Sequence, residues 1–383
     1  MNMKILYYPD GEPDPRVFPS SNIALARCKQ TVDPLFGDLP EMSIEVELCL
    51  PSGVCPQREE KLELYWNGLL CATGYIKNSQ RLPGDHYRLQ AGPRLDRLYT
   101  RHLGGMYNNA PLLPLWEELT KDIPATIDIN MTDKTVSGYL DLGTRADSLR
   151  QLTFGAGAAL GIETNGQLRL RDPETEDKII LPAHQICRNL LITALPVYTQ
   201  FQLTSHTYVP GNYEVKLKDN EEFRTGELTL TFSRPYYNYQ MFSELGGQLL
   251  EEGPNHVVLT CQGPLTLYAK PYIHIPRILE LNGKPVADPD FSYVMTVSDR
   301  TLVHEGNMHT LMHRMHQLGQ LRLRVNATVM VRPGEVPPRA GDPVELPTPW
   351  GTVIRGYVSK IDAQYRENDL EAALTVWGKE EEA

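Results

Sequence analysis

The chain has 383 residues, with 37 Lys and Arg against 48 Asp and Glu, for a formal net charge of −11. That balance argues against a large nucleic-acid-binding face, where affinity comes from cations that neutralise phosphates; no stretch approaches the roughly 18 apolar residues of a membrane-crossing helix. With 41% apolar residues and a mean hydropathy of −0.35, the composition is that of a soluble globular protein, long enough for about two to four domains.

The first nine residues hold no long apolar core and no small-residue cleavage site. No secretory leader is read there, and the expected place is the cytoplasm unless the chain is built into a particle. Six cysteines (Cys28, Cys49, Cys55, Cys71, Cys187, Cys261) show no CxxC pair and no zinc spacing, which fits buried free thiols in a reducing compartment. The many prolines and glycines predict the turns of β-rich domains.

In chain order, residues 3–8 are predicted as an opening strand, and the four prolines between Pro9 and Ser21 as a loop. Ser43 to Leu50 alternates Ile44, Val46, Leu48 and Leu50 with Glu45 and Glu47, the pattern of a half-buried strand. Gly53 to Pro56 turns the chain. Asn67-Gly68 between two apolar runs predicts a hairpin turn with positive φ at both residues. Residues 1–105 are read as a first small β-barrel.

Leu112, Leu115, Trp116 and Leu119 have helical spacing over 112–121, and Ile127 and Ile129 suggest a strand over 123–130. Thr144-Arg145-Ala146-Asp147 is a capping box. It opens a helix with Leu149, Leu152, Ala156, Ala159 and Leu160 on its buried stripe, stopped by Gly161. Asn165-Gly166 turns into the strand 167–171. Residues 106–195 are read as an α+β domain.

Strands are predicted over 199–209, 227–233, 257–261, 265–269 and 273–281, with a short helix over 242–251 and a hairpin turn at Asn282-Gly283. Leu228, Leu230 and Phe232 are placed inward. Asn307 to Leu318 is a helix, closing a second α+β domain over 196–318. It leads into twelve alternating residues, 320–331, a strand. Pro333, Pro337 and Pro338 stiffen the next loop, and the acidic tail 379–383 is expected to fray.

The last segment repeats the first. Leu62-Glu63-Leu64, the turn Trp66-Asn67-Gly68, Gly74-Tyr75-Ile76 and Leu89 to Gly92 reappear as Val344-Glu345-Leu346, Pro349-Trp350-Gly351, Gly356-Tyr357-Val358 and Leu374 to Gly378. Leu62 to Gly74 and Val344 to Gly356 both span twelve residues. A glycine inside a strand marks a bulge or barrel bend. Residues 319–383 are therefore read as a second small β-barrel, completed by strands from earlier in the chain. The fold class is α+β, mostly β, with two similar barrels at the chain ends flanking two α+β domains.

Among chemical motifs, His304, His309, His313 and His316 form the best metal candidate. The last three fall on one helix face, but Thr310 stands where a zincin would carry its glutamate base. The plainer reading is a solvated helix face beside Leu311, Met312 and Met315. No phosphate loop, dinucleotide fingerprint or nucleophile elbow occurs. Gly155-Ala156-Gly157 fits close helix packing. Glu117-Glu118, Glu221-Glu222 and Glu251-Glu252 read as solvated pairs. Tyr236, Tyr237 and Tyr239 suit packing or subunit contact better than a stacking platform for a sugar or base.

Three passages together resemble the tail-hub proteins of bacteriophages and phage-like contractile particles, including the N-terminal hub part of tail-associated lysins. They are Gly138 to Gly161 with Asn165 to Leu170, the helix 307–318 with the strand 320–331, and Gly341 to Gly378. The resemblance implies a structural, non-enzymatic homotrimer with no cofactor. Two similar barrels per chain would let three chains form a ring of approximate sixfold symmetry, joining a sixfold tail tube to a threefold central spike. An acidic lumen would let DNA pass without holding it. Tail-associated lysins continue into a lytic domain, whereas this sequence stops five residues after Gly378, so any lytic or spike activity is expected on another polypeptide. The alternatives are a metal-dependent hydrolase using His309, His313 and His316, and a carbohydrate-binding β-module.

Overall fold

The computed structural model describes residues 3–33, 37–51, 54–173, 177–186, 190–283, 293–332, 335, 337–365 and 369–382. Strand makes up 58% and helix 13%, so the chain is α+β and mostly β. The stiff loop and the turn at 53–56 lie partly outside the described residues.

The N-terminal strands are β1 (Met3–Tyr8), β2 (Arg16–Pro19), β3 (Ile23–Thr31), β4 (Glu41–Cys49), β5 (Lys61–Trp66), β6 (Leu69–Arg81) and β7 (His86–Gly92). On β4, Met42, Ile44, Val46 and Leu48 are buried, as its alternation requires. Asn67 and Gly68 take φ of 49° and 85°, the paired positive values that reverse β5 into β6. The proline-rich segment 9–21 is not all loop. It holds β2, antiparallel to β1, and β2 tolerates Pro19 because it is the edge of the sheet, with β1 as its one strand partner among the described residues.

The next stretch has β8 (Arg101–His102), β9 (Gly105–Pro111), α1 (Leu112–Thr120), β10 (Ala125–Ile127), α2 (Ile129–Thr132), β11 (Thr135–Leu140), β12 (Gly143–Thr144), α3 (Arg145–Gly155), β13 (Ala159–Ile162) and β14 (Leu168–Arg171). Leu112, Leu115, Trp116 and Leu119 of α1 meet Leu149 and Leu152 of α3 in one core, with Leu160, Leu168 and Leu170 beneath. The strand expected over 123–130 ends at Ile127. Ile129 instead opens α2 and lies 82% exposed. Helix α3 stops at Gly155, not Gly161, because Gly157 enters the left-handed region at φ 64° and turns Ala159 and Leu160 into β13. The capping box is formed: the Thr144 hydroxyl accepts the Asp147 amide at 3.1 Å, and the Asp147 carboxylate accepts the Thr144 amide at 3.1 Å. Thr144→Ala is expected to cost about 1 kcal/mol in urea denaturation; an unchanged midpoint would show that tertiary packing alone sets this helix start.

Then come β15 (Ile179–Ile180), β16 (Leu191–Ala194), β17 (Tyr198–Pro210), β18 (Val215–Thr231), β19 (Tyr236–Ser243), β20 (Gly247–Gly253), β21 (His256–Asn282), β22 (Tyr293–Val297) and α4 (Met308–Gly319). The helix expected over 242–251 is absent. Gly246, at φ 97°, and Gly247 break the chain between β19 and β20, and both strands pair with β21. The three strands expected between 257 and 281 are one, because Val257, Leu259, Leu265, Leu267 and Leu279 keep the same parity through Gly263 and Pro264. The residues after Asn282-Gly283, 284–292, lie outside the described ones, and with them the expected hairpin turn; β21 and β22 both pair with β17, on opposite edges. Phe201 and Leu203 of β17 pack under Met308, Leu311, Met312 and Met315 of α4. Leu228, Leu230 and Phe232 pack against a separate small core on β21.

The chain closes with β23 (Leu323–Val331), β24 (Pro343–Pro347), β25 (Thr352–Tyr365) and β26 (Leu370–Glu382). The acidic tail does not fray within the described residues: Glu380 to Glu382 pair with Ile354 to Thr352. Arg355 donates to Glu345 at 2.7 Å and to Glu381 at 2.5 Å.

The two ends repeat one strand order. The first reads β1-β5-β6-β7-β4-β3, and the second reads β15-β24-β25-β26-β23-β16. Leu62 faces Gly74 as Val344 faces Gly356. The bulge falls between Ile76 and Asn78 in one and between Val358 and Lys360 in the other, the same two steps past the strand glycine. One difference is that β1 runs antiparallel to β5, whereas β15 runs parallel to β24. The halves are not separate sheets. β3 pairs with β25, giving one 13-stranded sheet over a continuous core that holds Ile44, Leu64 and Trp66 together with Val325, Leu346 and Val358.

Candidate assembly surfaces

The seam between the halves is locked from both sides. Outside, the Arg27 guanidinium donates to Asp362 with its Nε at 2.5 Å, and that hydrogen bond holds the Asp362 carboxyl below its usual range. Inside lie Cys28, Cys71 and Tyr365. Burial pushes the Cys28 thiol up to about 12 and the Cys71 thiol up to about 11, so both stay protonated and unreactive.

Each of three edge strands exposes a large aliphatic side chain. Val17 on β2 is 59% exposed, Ile180 on β15 70%, and Leu191 on β16 61%. Edge strands offer unpaired backbone groups to another chain, and exposed aliphatics there add a reason to pair. A second apolar patch joins Val209 of β17 to Ile273 and Ile275 of β21, beyond the reach of α4. Val209 pairs with Ile273 in the ladder. None of these residues stood out in the sequence, since exposure depends on where each sheet ends.

The histidines of the proposed metal face do not converge. His309 and His313 are exposed, and His313 Nε2 meets Gln317 Nε2 at 3.0 Å. His316 sets its ring edge on Phe201, centroids 5.3 Å apart. His304 Nδ1 accepts the Gly306 amide at 3.1 Å. Among the described residues no group of three or more His, Cys, Asp or Glu side chains stands close enough to hold a metal ion. Gly155 packs against Leu302, where an added Cβ would come within 2.7 Å. Glu117, Glu118, Glu221, Glu222, Glu251 and Glu252 are all exposed. Tyr239 is buried, Tyr236 sets its ring edge to Phe232, and Tyr237 donates to the Gly211 carbonyl at 2.7 Å, so these rings serve packing.

A different histidine pair was not anticipated. His206 Nδ1 lies 2.9 Å from His274 Nε2, with ring planes 4° apart and centroids 5.1 Å apart. The rings therefore meet edge to edge and share one proton between the facing nitrogens. Tyr208 stacks on His274, and Tyr139 of β11 leans on Tyr208, so the rings tie β17 and β21 to the α+β core. Burial, then the neighbouring His274, hold the His206 imidazole below its ordinary 6.5, against the opposing pull of Ser298 and Asp299; burial lowers His102 and His304 as well. The unfolded chain thus binds protons that the folded sites refuse. Their contribution to stability is complete above about pH 6.5 and is lost as pH falls through the lower folded values. Melting temperature is expected to drop between about pH 7.5 and pH 5, and His206→Gln should flatten part of that slope. A pH-independent melt would contradict it.

No family model matches the sequence, and no curated protein matches it. By structure the chain is similar to the 43 kDa tail protein of prophage MuSo2 from Shewanella oneidensis, with a TM-score of 0.54, 10% identity and 98% of each chain covered. It is equally similar to a tail protein from Neisseria meningitidis MC58, with a TM-score of 0.54, 10% identity and 98% of each chain covered. The fold is therefore that of phage tail proteins over nearly the whole length of the chain.

Proposed function

We propose that this protein is the structural hub of a phage or phage-like tail baseplate. Three copies form a ring that adapts the sixfold tail tube to a threefold central spike. The observation that carries the reading is the doubled strand order, with its strand glycine and its bulge at matching places in both halves. Two like modules per chain give a trimer six near-equivalent contacts, and the fold shared with tail proteins sets the context. Residues 1–105 and 319–383 are the two barrel-like tube modules, the second completed by β15 and β16, and 106–195 and 196–318 are the α+β domains between them. Partners are two further copies, the spike, and tube or distal tail proteins. The net negative charge suits a lumen that passes DNA without holding it. The role is architectural and non-catalytic, in the virion tail. Quantitative mass spectrometry of purified particles tests it: three copies per particle are expected, and six or one would overturn it.

A further inference from the structure

The seam between the two halves is a template for a second contact. β25 is paired by β26 along its length, and its other edge carries β24 up to Tyr357 and then β3 from Lys360 to Tyr365. Just before β3 joins, the Val358 amide donates to the Asp342 carbonyl and the Val358 carbonyl accepts the Gly341 amide. The first half repeats this arrangement on β6. Tyr75 has Lys61 on one edge and Gly92 on the other. The Ile76 amide donates to the Glu60 carbonyl, and the Ile76 carbonyl accepts the Glu59 amide. Beyond Ile76 the place that β3 takes on β25 stays open: among the described residues no strand pairs with the end of β6 on the side away from β7. Arg81 and Pro83 are exposed there, whereas Ala363 and Tyr365 at the matching places are buried in the seam. β16 is the counterpart of β3, since Ile192 faces Val325 on β23 as Cys28 faces Ile44 on β4. Its outer edge is open too, with Leu191 61% exposed.

We propose that neighbouring copies of this chain join by repeating the β3–β25 seam, with β16 of one copy pairing antiparallel with residues 79–82 of the next. Carrying the internal register across sets Gln80 opposite Thr193 and Leu82 opposite Leu191. Leu191 stands where β3 has Arg27, and Gln80 where β25 has Asp362, so an aliphatic contact replaces the ion pair of the internal seam. Unpaired amides and carbonyls on both edges favour the pairing, and Pro83, with no amide to donate, bounds it. The contact joins unlike surfaces head to tail, the kind that closes into a ring. The inference rests on the hub reading for its ring of three and adds which strands meet.

The test is oxidative crosslinking in purified particles that carry Gln80→Cys together with Thr193→Cys, both at exposed positions. Directly opposed residues of an antiparallel pair stand about 4.5 to 5.5 Å apart at Cα, within reach of a disulfide. Non-reducing electrophoresis is expected to show linked dimers and trimers in the double variant and monomer in each single variant, which also controls for the exposed Cys55. Copy number decides the hub reading, and linkage decides the contact. Particles with three copies and no linked species would overturn the contact and leave the hub reading standing, as would equal linkage in a single variant. A second pair keeps the test decisive if the cysteines block assembly. Leu191→Arg alone is expected to lose particles, and Leu191→Arg with Gln80→Asp to regain them by rebuilding the Arg27–Asp362 pair between copies. No loss in the first, or no recovery in the second, overturns the proposal.

Discussion

Gly356→Ala is expected to destabilise the protein by about 3 kcal/mol, while Gly74→Ala at the matching place costs about 1 kcal/mol. Gly356 of β25 lies opposite Gly378 of β26. A Cβ at 356 would collide with the Trp377 carbonyl oxygen and come within 2.6 Å of the Gly378 Cα. Those are backbone atoms of a paired strand, so relief requires the ladder to part. At Gly74 the nearest atoms are the Gly92 amide nitrogen at 2.9 Å and the end of the Ile44 side chain at 3.0 Å, and part of that contact can yield. Neither glycine has positive φ, so the cost is steric. Urea denaturation of both variants measures it. Equal costs would mean that the two halves pack alike in detail as well as in order, and no cost at 356 would contradict the close strand approach.

Phe201→Ala is expected to cost about 3 to 5 kcal/mol, as for other fully buried aromatic rings. Phe201 is 0% exposed. Its ring meets Tyr198 at 5.9 Å and the edge of His316 at 5.3 Å, and Gly319 allows α4 to lie close against it. Removing the ring leaves a cavity under the last turn of α4, at the junction of the helix and the β17–β21 ladder. Loss of helical circular dichroism ahead of the β signal during melting would mark α4 as the first element to detach. A loss below about 1 kcal/mol would mean the core collapses around the gap.

Much of this architecture could be read from local pattern. The alternation of Ile44, Val46 and Leu48, the Asn67-Gly68 turn and the Thr144 capping box each depend on residues close in sequence, and each appears in the structure. The doubling was legible because a strand glycine is sterically required where two strands meet closely, at Gly74 and at Gly356. What could not be read depends on partners distant in the chain. Nothing near Ile23 to Thr31 indicates that β3 will pair with β25. The unity of β21 was hidden by Gly263 and Pro264, whose turn chemistry is overridden by β18 on one edge and β19 and β20 on the other. The acidic tail was read as loose because its charges oppose burial, yet Arg355 and the β25 ladder hold it. The candidate site fared unevenly for the same reason. A helical wheel aligned His309, His313 and His316, but Phe201 and Gln317 take two of those rings as neighbours. The His206–His274 pair joins residues that the sequence keeps far apart.

The most direct measurement is a cryo-electron microscopy map of the particle's tail tip, resolved well enough to trace strands. Three copies are expected around the axis, with the β4–β7 and β23–β26 halves alternating at roughly equal radius to make six similar positions against the tube. A map in which the two halves occupy unlike radii, or in which either half is buried away from neighbouring copies, would contradict the symmetry-adaptor reading.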